Sequence, residues 1–102
     1  MNQSMKTYLI VNATPNPENQ ADIQAYTGGV LPLLEKAGGK ALRRAKLKNV
    51  IKGVAKYPLF LFMEFEDGEK VKELFESEEY EKLVPHREKA FSDLNIYEFI
   101  DL

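Results

Sequence analysis

The segment Tyr57–Phe65 (YPLFLFMEF) limits the folds open to this chain more than any other stretch. A proline near its start, followed by aliphatic and aromatic residues, reads as a strand entered from a turn. Side chains alternate across a strand, so Leu59, Leu61, Met63 and Phe65 share one face, and Phe60, Phe62 and Glu64 share the other. Both faces are apolar, so both need cover. A phenylalanine left in water forgoes about 1.5–3 kcal/mol. Two helices can cover only one side of a small sheet. The remaining side, carrying Phe60, Phe62, Ile10 and an aromatic from the last strand, calls for a second copy of the chain stacked against it.

The other elements follow from punctuation and period. Residues Thr7 to Ala13 (TYLIVNA) read as the first strand, ended by Pro15 and Pro17. Asn16 is placed to cap a helix with Pro17 at its first position and Glu18 in its first turn. Ile23, Tyr26, Val30, Leu33, Leu34 and Ala37 form its apolar stripe. Pro32 predicts a kink or break near Gly28-Gly29, and Gly38-Gly39 predicts the stop. Lys40 to Lys48 reads as a basic edge strand, and Asn49 to Lys56 as a turn or a hairpin arm. Asp67 can cap a helix carrying Val71, Leu74 and Phe75. Ser77 can cap another, with Tyr80, Leu83, Val84, Arg87, Ala90 and Phe91 on one stripe and a bend at Pro85. Leu94 to Ile100 is the last strand. The order βαββαβ over residues 1–102 is one α+β domain.

Composition narrows the chemistry. The chain has no cysteine, which removes disulfides, thiolate metal sites and a cysteine nucleophile, and one histidine, which argues against a zinc site. No metal and no cofactor are expected. No apolar run is long enough to span a bilayer, so the expectation is a cytoplasmic protein without membrane attachment. The net charge of -2 is unevenly spread. Eight basic residues and no acidic one lie between Lys36 and Lys56, whereas Glu64 to Glu81 is dominated by carboxylates. These blocks read either as solvated faces of opposite sign or as a basic segment that meets an anionic ligand or a partner subunit's acidic segment.

Candidate site residues come from polar groups that interrupt apolar patterns. Tyr8, Ile10 and Asn12 alternate along the first strand, so Asn12 and Glu64 would interrupt the second sheet face as the polar groups of a ligand cavity do. A buried Glu64 suits a general base, and paired with a basic residue of the second strand it is only structural. Arg87 interrupts the stripe between Val84 and Phe91. It reads either as a fork gripping a carboxylate or phosphate, or as a structural ion pair whose stem covers apolar surface. His86, the one imidazole, is a candidate acid or base, although it lies about 100° around the helix from its neighbour. Arg44 joins Arg87 as a candidate anion holder, and Tyr8 and Tyr80 complete the ligand-binding candidates.

Tyr8-Leu9-Ile10-Val11, the Pro32-Leu33-Leu34-Glu35-Lys36 helix end with Gly38-Gly39, Leu42 with Arg44, Gly53, Phe65, and Ser77-Glu78-Glu79-Tyr80 through Leu83, Pro85 and Arg87 resemble, in order and spacing, domain-of-unknown-function family 1330. The resemblance spans nearly the whole chain. It implies a ferredoxin-like fold of the dimeric α/β barrel superfamily: a four-stranded antiparallel sheet with helices on one face, working as a homodimer. It also implies Arg87 as the match to a family arginine. Activity stays open, because that superfamily includes cofactor-free monooxygenases, isomerases, haem-degrading enzymes and members without known activity. The expected function is therefore binding of a small, partly apolar anionic molecule in a sheet-face cavity, as a cofactor-free enzyme or as a non-catalytic binding protein. The same element order builds RNA-binding domains, and Phe60 to Phe65 echoes their aromatic strand. The glycines and leading basic residue of that motif are absent and the net charge is negative, so no nucleic-acid partner is expected.

Overall fold

A computed structural model describes residues 5–55 and 57–102. Four strands, β1 (Thr7–Pro15), β2 (Lys40–Lys46), β3 (Leu59–Phe65) and β4 (Phe91–Ile100), form one antiparallel sheet in the order β2-β3-β1-β4. Helix α1 (Gln20–Lys36) connects β1 to β2, and α2 (Gly68–Phe75), α3 (Glu78–Glu81) and α4 (Val84–Ala90) connect β3 to β4. The expected α+β, ferredoxin-like arrangement is the one found.

The ladder puts Leu9 opposite Met63 and Glu98, and Val11 opposite Leu61 and Ile96. That parity faces the helices. Leu9, Met63 and Phe65 are 2%, 4% and 0% exposed and join Tyr26, Val30 and Leu34 of α1 and Val71 and Leu74 of α2 in the core. The opposite parity carries Tyr8, Ile10, Asn12, Phe60, Phe62, Glu64, Asn95, Tyr97 and Phe99, and no element of the chain packs over it among the described residues.

Helix ends follow the capping residues. Asn16 Oδ1 accepts from the Glu18 amide at 3.1 Å, but the first turn, Pro17–Asn19, is 3-10, and α1 proper starts at Gln20. Asp67 Oδ1 accepts from the Glu69 amide, and Ser77 Oγ from that of Tyr80. At the end of α1, Gly38 has φ +89°, a conformation that glycine adopts without a Cβ clash, and its amide bonds to the Glu35 carbonyl.

Three local expectations are corrected. β1 continues through Pro15, which sits beyond a register shift opposite Phe91, where a missing amide hydrogen costs no regular ladder bond. Pro32 stands inside α1 without ending it; Pro32 and Gly28 are both exposed, so the carbonyl left without a donor can meet water. Pro85 does not bend one helix but opens α4, and Phe91 begins β4 where a helical position was expected. Between β2 and β3, the Leu47 amide bonds to the Pro58 carbonyl at 2.7 Å below a projecting arm, on which Ile51 and Val54 are 94% and 87% exposed. Lys56, part of that expected turn, lies outside the described residues.

Candidate functional site

An apolar cavity of about 280 Å³ lies between α1 and the helix-facing side of the sheet. Its inner walls are buried residues of both layers, among them Leu9, Ala13, Val30 and Met63. Its rim is marked by residues that stay exposed: Leu31 of α1, Arg44 and Ala45 of β2, and Leu59 of β3. The cavity therefore opens toward the β2 edge. The sequence pattern pointed to a cavity on the second face, but this one lies on the opposite side of the sheet.

At the inner end stands Tyr26, 5% exposed, with its ring edge-to-face against Phe91 at 5.8 Å. Its hydroxyl meets that of Tyr80 at 2.9 Å, and Arg87 Nη1 donates to Tyr80 Oη at 3.1 Å. The chain of contacts is built locally. Ser77 caps α3 through the Tyr80 amide, which sets Tyr80, and the break before Pro85 turns α4 so that Arg87 folds back over the Tyr80 ring at 5.8 Å. Burial, and then the hydrogen bond to Tyr80, push the Tyr26 phenol well above its ordinary pKa, so it stays protonated. The Tyr80 hydroxyl, by accepting from Arg87, holds that guanidinium still more firmly charged. Two phenols share one mutual bond, which leaves one O–H free to donate to another acceptor.

The expected site residues separate into groups. Tyr80 and Arg87 come together, and Arg44 lines the cavity at its rim. Tyr8, Asn12 and Glu64 lie on the second face. There Glu64 stands opposite Tyr8 and Asn12 opposite Phe60, four positions apart on β3. Lys6 Nζ lies 3.4 Å from Glu64, whose partner is thus the residue before β1 and not one of β2, and the pairing raises the Lys6 pKa. Tyr8 stacks on Phe62 at 5.6 Å, and a hydrogen bond with Asp101 raises its pKa. His86 Nδ1 meets Asp22 Oδ1 at 2.8 Å, tying α4 to α1. Neither Glu64 nor His86 lines the cavity or contacts the other. Tyr26 was legible only as one more member of an apolar stripe. The signal that could have singled it out is chemical, since a buried phenol needs a hydrogen-bond partner.

Among the described residues no group of three or more histidine or acidic side chains could hold a metal ion, and no helix is long and apolar enough to cross a membrane.

Several solved structures share this fold. A protein of unknown function from Rhodopseudomonas palustris superposes with a TM-score of 0.80 at 16% identity, covering 98% of this chain and 85% of that one. A dimeric ferredoxin-like protein of unknown function from Jannaschia sp. gives 0.69 at 11% identity, covering 94% and 99%. A candidate antibiotic biosynthesis monooxygenase from Caulobacter crescentus gives 0.66 at 5% identity, covering 97% and 92%. At these identities the likeness concerns the fold alone. No curated protein matches the sequence. The family profile described as Domain of unknown function (DUF1330) matches residues 6–98, and the chain belongs to that family.

Proposed function

We propose that this protein is a homodimeric binding protein that holds a small, largely apolar molecule in the cavity between α1 and the sheet. The observation that carries the reading is the cavity itself: a volume close to the lower bound of the ordinary range for ligand sites, with buried aliphatic walls and few polar side chains in its lining, Tyr26, Thr27 and Arg44. Its described lining contains no carboxylate and no imidazole, which favours binding over acid–base catalysis by this chain's own side chains. On this reading Glu64 and His86 are structural, held by Lys6 and Asp22.

The dimer is supported by the uncovered face. Phe60, Tyr97 and Phe99 are 37%, 46% and 49% exposed there, and a second copy stacked sheet to sheet would cover all three. Relatives of the same fold are described as dimeric.

The test of the cavity uses 1-octanol as an apolar probe. It should raise the thermal midpoint of the wild-type protein, since a ligand that binds only the folded state stabilises it. It should do so much less in Leu31→Trp, where an indole at the exposed rim fills the opening. An equal rise in both proteins would place the probe elsewhere and remove the cavity from the proposal.

A further inference from the structure

We propose that Arg44 at the cavity rim is the residue that selects an anion, and that the ligand class is an apolar body ending in a carboxylate. This rests on the cavity reading above and goes one step further, because two arginines compete for the role and their surroundings differ.

Arg87 is already engaged. Its Nη1 donates to Tyr80 Oη, its Nη2 lies 3.5 Å from a Glu88 carboxylate oxygen, and its plane sits over the Tyr80 ring. A ligand carboxylate would have to displace Glu88 and compete with the tyrosine pair. Arg87 therefore positions Tyr80, and through it Tyr26, at the inner end of the cavity.

Arg44 has the opposite situation. It stands on β2 opposite Leu61, whose parity is that of the helix side, and it lines the cavity beside Leu31 and Leu59. Among the described residues its guanidinium has no ion-pair or hydrogen-bond partner. Its neighbour Arg43 pairs with Phe62 on the other parity and donates to its own strand's Leu42 carbonyl. No acidic residue occurs between Lys36 and Lys56, so nothing in its own segment neutralises it. A free guanidinium beside apolar walls attracts an anion more strongly than one in open water, because the local dielectric is lower. Its planar fork matches the two oxygens of a carboxylate, and a single positive charge balances a monoanion. The ligand would then lie with its acid at the rim, its hydrocarbon along Val30, Leu34 and Met63, and its far end near Tyr26.

Calorimetric titration of the full chain with octanoate and with 1-octanol tests this. Wild type should bind octanoate about tenfold more tightly than the alcohol, the size of one charge-assisted hydrogen-bonded contact. Arg44→Gln should lower octanoate to the level of the alcohol in the same variant, Arg44→Lys should keep an intermediate preference, and Arg87→Gln should keep the full one. The preference in wild type should also shrink as salt is raised, which needs no variant to fold. A preference that survives in Arg44→Gln, vanishes in Arg87→Gln, or ignores salt overturns the assignment. If 1-octanol itself fails to bind wild type, or binds Leu31→Trp equally well, the cavity reading fails and not the choice between arginines.

Discussion

The two faces of this sheet are built from alternate residues of the same strands and are similarly rich in apolar side chains, yet they end in different states. On the helix side Leu9, Met63 and Phe65 are no more than 4% exposed, whereas on the other side Phe60, Tyr97 and Phe99 retain more than a third of their surface. Strand composition sets how much surface must be covered. It does not say whether the cover comes from the same chain. The helix side is sealed by α1 and α2 except where the cavity opens at the β2 edge; the other side has no cover of its own among the described residues.

The largest expected effect is on the sealed side. Phe65 is fully buried, and its ring comes within 2.7 Å of where a Cβ on Gly39 would stand, so the turn after α1 is shaped around it. Phe65→Ala should cost about 3–5 kcal/mol in denaturant unfolding, transfer and cavity contributions together. Phe99→Ala, measured at concentrations where the protein is monomeric, should cost a small fraction of that. Similar losses would mean that the two faces do not differ energetically.

On the open side the expected effect is on assembly. Tyr97→Lys places a charge within the proposed sheet-to-sheet contact, where its desolvation would oppose association. Sedimentation at micromolar concentration should change from dimer for wild type to monomer for the variant, with the circular dichroism spectrum retained. A wild-type protein that is monomeric under these conditions removes the dimer, and a Tyr97→Lys dimer places the interface on another surface.

How far this contrast could be read from the sequence depends on the range of the interaction. The two faces of β3 follow from a period of two, the 3-10 turn that leads into α1 from Asn16, the stop of α1 from Gly38, and the starts of α2 and α3 from Asp67 and Ser77, all local signals. Pro85 reads as a bend, but proline is equally compatible with the first turn of a new helix, and the chain used the second. The cavity was not legible. Its place depends on how far α1 stands off the sheet, a sum of side-chain volumes across two layers that no periodicity records. Arg87 stood out as a polar break in a stripe of which Tyr80 was a member, but the bond between Tyr80 and Tyr26 joins residues 54 apart in sequence and needs the fold to exist first.

The smallest expected effect separates the inner end of the cavity from its rim. Tyr26→Phe removes one hydroxyl from the buried pair and leaves the ring against Phe91, so at neutral pH it should cost about 1 kcal/mol, the net value of one internal hydrogen bond. The pH dependence should distinguish it from any surface tyrosine. In the unfolded chain Tyr26 ionises at the ordinary phenol value of about 10. In the folded protein burial and Tyr80 raise that value, so the native state keeps a proton that the unfolded state loses. The stability tied to this proton is complete below the unfolded pKa and declines as pH rises through the folded one. Wild type should therefore lose stability in alkali more steeply than Tyr26→Phe, and the gap between them should narrow as pH rises. Parallel alkaline curves for the two proteins would mean that the Tyr26 hydroxyl is open to water, and the inner end of the cavity would then be no more sealed than its rim.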